Sequence, residues 1–217
     1  GRSRSRDLES ILDEVKKLPN EVKEIVLVGI DVSDFQIDGK KALGTLLTKL
    51  DGFGKRLRLS SMEGNLIEDE FMETLSKLKN FCPHFHLSLQ SGCDNVLKKM
   101  NRKYTTAQFE ESVNKIRKYF PNAGITTDII VGFPTETDDD FEQTMKFVEK
   151  IQFSQLHIFP YSKRDGTVAE KLYKDLSGTV KMQRLKRLEK LGETLKIDFI
   201  NQNKTGKVLI EEKNGDY

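Results

Sequence analysis

The sequence predicts an α/β fold built on a parallel sheet. Three observations carry that expectation. Short strand-like runs alternate with amphipathic helical segments five times along the chain. Gly, Ser or Pro stands at or just after the end of each run, where a strand must turn away. Apolar residues make up 36% of the 217 residues, enough for a real core. A doubly wound open sheet and a βα barrel, whole or partial, both satisfy the pattern, and five units are too few for the closed eight-stranded barrel.

The elements follow in order. Asp7 to Leu18 places Leu8, Ile11, Leu12, Val15 and Leu18 on one helical face, and Pro19-Asn20 stops it. Glu24-Ile-Val-Leu-Val-Gly29 reads as a buried strand. A helix follows from about Lys41 to Leu50, then a strand at Arg56-Leu-Arg-Leu-Ser-Ser61. Ile67 to Leu78 groups Phe71, Leu75 and Leu78 on one helix face. His84 to Leu89 is the next strand, followed by helices near Asp94–Met100 and Thr106–Tyr119. The second of these opens on Thr105-Thr-Ala-Gln108, with the spacing of a capping box. Gly124 to Val131 is a strand, and its helix starts with Thr137 as N-cap and Asp138-Asp-Asp140 in the first turn. Gln155 to Phe159 is the fifth strand, and a long charged helix covers Thr179 to Gln202. Residues 1–203 thus form one domain, and 204–217 read as the start of a small β domain, a strand entering an Asn214-Gly215 turn.

Composition excludes several classes. Lys plus Arg is 36 and Asp plus Glu is 34, a net charge of +2, which carries no global nucleic-acid signal. Two cysteines cannot staple a secreted scaffold or complete a four-cysteine metal site. No apolar run approaches the roughly 20 residues of a membrane span, and Gly1-Arg-Ser-Arg-Ser-Arg6 is no signal peptide. A soluble, cytoplasmic protein with no membrane partner is expected.

In parallel α/β folds ligands sit at the carboxyl ends of the strands. Those ends are Gly29-Ile-Asp31, Ser60-Ser-Met-Glu63, Gln90-Ser-Gly-Cys-Asp94, Gly132-Phe-Pro-Thr-Glu136 and Pro160-Tyr-Ser-Lys-Arg164. All are polar, and together they argue for a polar ligand. Each also reads as an ordinary turn, and Glu63 and Glu136 as solvated first-turn acids. His84 and His86 share one strand face; with no third ligand in view they are expected to be packed or turned outward. Cys82 lies at the opposite end from the site, an inert buried thiol, and Cys93 has no visible base and reads as packing. Lys98, Lys99, Arg102 and Lys103, Lys163-Arg164, and Arg2, Arg4 and Arg6 are local basic clusters able to meet phosphates. The charges of the long C-terminal helix are expected to be solvated. No glycine-rich phosphate motif is present.

His86-Leu-Ser-Leu-Gln-Ser-Gly-Cys-Asp94, Val96 to Arg102 and Tyr104-Thr-Thr106 resemble the methylthiotransferase family of radical S-adenosylmethionine enzymes. Thr126-Thr-Asp-Ile-Ile-Val-Gly-Phe-Pro-Thr-Glu-Thr137, with Asp140-Phe141, is similar to that family's fifth-strand motif. His157-Ile-Phe-Pro-Tyr-Ser162, with Arg164 and Gly166-Thr167, is similar to its sixth-strand segment. Among the branches, the motifs most resemble the tRNA enzymes acting on threonylcarbamoyladenosine, ahead of the isopentenyladenosine-tRNA and ribosomal-protein branches.

The resemblance implies a partial, six-stranded TIM-like βα barrel. It implies a [4Fe-4S] cluster that cleaves S-adenosylmethionine to a 5′-deoxyadenosyl radical, hydrogen abstraction at adenine C2, and methylthio insertion. The implied partner is tRNA, at its anticodon stem-loop, and the implied state is a monomer. By the same resemblance Gly29 and Asp31 hold the cofactor's amino-acid part. Ser61, Glu63 and Gln90 lie near its ribose or carboxylate, with Ser91 and Asp128 also in the cofactor set. Gly132 and Phe133 approach the adenine, and Arg102, Tyr161 and Arg164 face substrate. The family's Cys-x-x-x-Cys-x-x-Cys loop and the strand before it are not among these residues. Thr135 stands where the family usually has Gly, and Asp31-Val-Ser-Asp34 departs from its pattern. The chain is therefore expected to be the central part of the enzyme, inactive alone. A non-catalytic RNA- or cofactor-binding module and a barrel enzyme using Glu63 and Glu136 as acid and base are the alternatives.

Overall fold

The computed structural model describes residues 4–29, 32–63, 67–172, 174–203, 205 and 209. Five parallel strands form the sheet, and helices cover its outer face. Helix α1 (Leu8–Lys16) is capped by the Asp7 carboxylate, which accepts the Ser10 N–H. Strand β1 (Glu24–Leu27) pairs in parallel with β4 (Arg56–Leu59), Glu24 opposite Arg56 and Val26 opposite Arg58. Strand β5 (Ser61–Met62) continues β4 after a break at Ser60, and pairs with β6 (His84–Leu87). Leu59 and Met62, three apart, are both in the core, so one extra residue is accommodated between them as a bulge would do. Strand β7 (Gly124–Val131) pairs with β6 and with β8 (Gln155–Pro160). The α/β fold and the parallel order match the sequence expectation.

The strands alternate as buried parallel strands with one open face should. Leu57, Leu59, Phe85, Leu87, Ile125, Ile129 and Val131 point outward into one hydrophobic core. That core is closed by α2 (Leu43–Asp51), α3 (Asp69–Ser76), α5 (Thr106–Tyr119), α6 (Asp138–Ile151) and α8 (Gly178–Gln202). Short helices α4 (Asp94–Lys99) and α7 (Val168–Leu172) lie on the strand exits. Both expected N-caps are present: Thr105 with Gln108 and Thr137 with Asp140 each close a capping box.

Two local expectations are corrected. Residues 36–41 are a hairpin, β2 (Gln36–Ile37) against β3 (Lys40–Lys41), so the following helix starts at Leu43 and not at Lys41. Asp38 and Gly39 both take positive φ, 50° and 74°, as a two-residue Asp-Gly hairpin requires. Helix α7 was not expected. Residues 204, 206–208 and 210–217, which carry the predicted β-domain start, lie outside the described residues.

Candidate cofactor and substrate site

The carboxyl ends of the five strands form one rim. Gln90 ends the third of them with φ at 69°, a conformation that disfavours any residue with a Cβ. Backbone bonds hold it there: its N–H donates to Asp128 O, and the Ile130 N–H donates to Gln90 O, both at 2.9 Å. Strain held in this way is a feature of ligand sites. Next to it Tyr104 donates its hydroxyl to Ser88 O at 2.7 Å, and burial pushes its pKa up to about 12. Glu63 and Arg102 both act electrostatically on Tyr104, which brings them to the same part of the rim.

The exit of β7 is locked from below. Gly132 has φ at 72°, and its N–H donates to Glu136 Oε2 at 2.8 Å. Arg184 of α8 donates to the same Oε2 at 2.6 Å and to the Glu136 carbonyl at 3.0 Å. The two side chains are 6% and 1% exposed. Burial pushes the Glu136 carboxyl above its ordinary value, against the Gly132 N–H and the guanidinium, which favour its charge. Lys181, one turn earlier, donates to Tyr161 O at 3.0 Å and pairs with Asp175 at 2.7 Å. A Cβ on Gly132 would meet Lys181 Cγ at 2.5 Å, so only glycine passes here.

The open face of the sheet is polar. Glu24 of β1 accepts from Arg56 Nε at 2.8 Å and from Arg58 Nη2 at 2.9 Å. His86 lies 3.3 Å from Asp128 and 2.9 Å from Thr126, whose hydroxyl is 3.4 Å from His84. His84 and His86 are thus packed into one cluster. Among the described residues no group of His, Cys, Asp and Glu is arranged to hold a metal ion.

The residues expected at the site separate into three groups. Ser61, Gln90 and Tyr161 are half-buried at the rim, and Glu63 and Arg164 are exposed there; Arg102 is half-buried beside Tyr104. Asp128 lies below the rim, on the open face with His86. Ser91 and Phe133 are turned inward. Ser91 is buried, its hydroxyl 3.3 Å from Thr144 and accepting from the Cys93 N–H. Phe133 stacks edge-on with Tyr161 over Cys93 and Val96. Gly29 is described, whereas Asp31 lies outside the described residues. Glu136, read as a solvated acid or a candidate acid–base group, is a buried structural carboxylate. Lys181 and Arg184, read as solvated, are buried; Glu136, the distant partner of Arg184, left no mark in the local pattern. The arginine pair on Glu24 was also missed, although Arg56-x-Arg58 alternates at strand period.

Cys82 and Cys93 are both buried free thiols raised by burial, as expected of packing residues. Cys93 donates to Asp140 at 3.2 Å, while Cys82 accepts from Arg56 at the far end of the sheet. They do not fit an iron–sulfur cluster, which takes a set of neighbouring thiolates. At the rim Ser60 Oγ and Thr135 Oγ1 are buried without a hydrogen-bond partner, two polar atoms that a polar ligand would satisfy.

Fold and rim define the class: a partial parallel βα barrel presenting its strand ends to a polar ligand. The chain belongs to the radical SAM superfamily, whose family model matches residues 1–148. It is 39% identical over 220 residues to the threonylcarbamoyladenosine tRNA methylthiotransferase MtaB of Bacillus subtilis, covering 98% of this chain and 49% of that protein. It is 42% identical to the MtaB of Aquifex aeolicus (96% and 52% covered). It is 39% identical to the tRNA-2-methylthio-N(6)-dimethylallyladenosine synthase of a Thermoanaerobacter species (97% and 46% covered). The chain spans about half the length of these relatives. The solved radical SAM enzyme coproporphyrinogen III oxidase of Escherichia coli shares the fold, with a TM-score of 0.61 at 16% identity over 90% of this chain and 46% of that one. No helix among the described residues is long and apolar enough to cross a membrane.

Proposed function

We propose that this chain is the barrel portion of a methylthiotransferase that modifies C2 of a threonylcarbamoyladenosine beside the tRNA anticodon. The observation that carries the proposal is the presence of polar groups at four strand ends among the described residues, in a chain about 40% identical to enzymes named for that substrate. S-adenosylmethionine, once reduced at an iron–sulfur cluster, supplies the chemistry that removes a hydrogen atom from an unactivated carbon. In this reading Gly29 and Asp31 hold its amino-acid part, Ser61, Glu63 and Gln90 its ribose and carboxylate, and the Gly132 turn its adenine. Phe133 and Ser91 support that turn and Gln90 from beneath. Tyr161, Arg102 and Arg164 lie toward tRNA, whose phosphates suit the two arginines. Two cysteines leave the cluster's ligands outside these 217 residues, so the chain alone binds the cofactor without cleaving it.

A second reading has support of its own: the Thermoanaerobacter relative, at 39% identity, is named for dimethylallyladenosine. The test of the shared part is calorimetric titration of the chain with S-adenosylmethionine. Saturable binding that Gln90→Ala and Glu63→Ala both weaken is expected. Absence of binding, or binding indifferent to both variants, overturns the assignment.

A further inference from the structure

The open face carries a polar group of which the family resemblance gives only Asp128 to the cofactor. The chain has three histidines, and all of them meet there. His86 lies between Thr126 at 2.9 Å and Asp128 at 3.3 Å, and its ring centroid is 5.6 Å from that of His157 on β8. His84 touches the same Thr126 hydroxyl at 3.4 Å. On the neighbouring strand Arg56 and Arg58 share the single carboxylate of Glu24. Arg58 Nε and His84 Nδ1 are buried without a hydrogen-bond partner. The group is open to solvent: the Asp128 side chain is 31% exposed, and His157 is exposed. Asp128 lies four residues before Gly132, roughly 13 Å down the strand. Between them Ile130 pairs with Phe159, whose ring is 52% exposed on the same open side.

An aromatic shelf above a polar row suits a purine carrying a polar arm. We propose that Asp128, His86 and His157, with Arg58 beyond them, form a specificity-determining subsite for the N6 substituent of the target adenosine. The substituent's carboxylate faces Arg58 and the histidines, and its hydroxyl and amide N–H groups face Asp128. Phe159 carries the base above. The inference rests on the adenosine reading proposed above and chooses between its two substrates. A threonylcarbamoyl arm replaces the water it displaces from these side chains. A dimethylallyl arm covers them without supplying any hydrogen bond in place of water, and polar sites reject apolar analogues on that ground.

The test uses the full chain with histidine ring carbons labelled, so that three ring signals report on three residues. Anticodon stem-loop RNAs carrying adenosine, threonylcarbamoyladenosine or dimethylallyladenosine are titrated in turn. The threonylcarbamoyl RNA is expected to bind at least about tenfold tighter than the dimethylallyl RNA and to move the His86 and His157 signals. Asp128→Asn should remove most of that preference. His157→Ala, at an exposed position where folding is not at stake, should reduce it too. Equal binding of the two modified RNAs, or a preference that survives both variants, overturns the subsite while leaving an adenosine methylthiotransferase in place. Binding of S-adenosylmethionine with no binding of any RNA overturns the subsite and the tRNA reading together, and leaves the cofactor rim standing.

Discussion

Arg184→Leu should expose how the cofactor rim is held. The substitution leaves a shorter apolar side chain and removes the charge that faces Glu136 at 2.6 Å. Breaking one partner of a buried pair costs about 3–5 kcal/mol. Neutralisation limits that loss. A carboxyl of ordinary value 4.5 takes up a proton at pH 7 for about 1.4 kcal/mol per pH unit, about 3 kcal/mol in all. The expected loss is therefore about 3–4 kcal/mol at pH 7, falling to about 1 kcal/mol near pH 5, where Glu136 is easily protonated. The second partner, Asp138, is 95% exposed and adds little. Urea unfolding followed by circular dichroism at the two pH values measures both numbers. Adding Glu136→Leu should recover most of the loss at pH 7, since a packed apolar pair is often as stable as a buried ion pair. A loss under about 1 kcal/mol at pH 7, or one that does not change with pH, would refute the idea that this pair is buried and charged.

Further outcomes follow from the same geometry. Gln90→Gly relieves a positive φ of 69° and should stabilise the fold by up to about 1 kcal/mol while weakening S-adenosylmethionine binding; destabilisation with unchanged binding contradicts the rim assignment. Gly92→Ala places a Cβ 2.9 Å from Thr144 Cα, a backbone atom that cannot step aside, and should cost about 1–3 kcal/mol in a thermal melt. His84 is held below its ordinary value of 6.5, by burial first and then by Arg58, His86 and His157. The unfolded chain then binds that proton more readily, so His84's contribution is complete above pH 6.5 and lost as pH falls. His84→Gln should flatten the fall in stability below pH 6.5, and an unchanged slope counts against the buried imidazole.

What could be read from sequence was local. Thr105 with Gln108 and Thr137 with Asp140 cap their own helices, so spacing alone finds them. The strand runs announce themselves because apolar residues recur at strand period between turn residues. The Asp38-Gly39 hairpin was equally local, but its strands are two residues each, too short for a periodic pattern. Ser60 could not be foreseen, since an extra residue shows only when two strands are laid side by side. The charges of α8 illustrate the larger difficulty. Lys181 and Arg184 look like any solvated helix charges; what buries them is the Gly132 turn, about 50 residues away, and its carboxylate. The His86–Asp128 pair was half legible: each residue lay in a recognised motif, but their meeting depends on the register between β6 and β7.

The most direct measurement is mass spectrometry of the nucleosides in tRNA treated anaerobically with the full-length protein, S-adenosylmethionine, a reductant and inorganic sulfide as the sulfur source. Threonylcarbamoyladenosine should gain the mass of a methylthio group in place of one hydrogen. Consumption of S-adenosylmethionine with every tRNA nucleoside unchanged would contradict the proposed function.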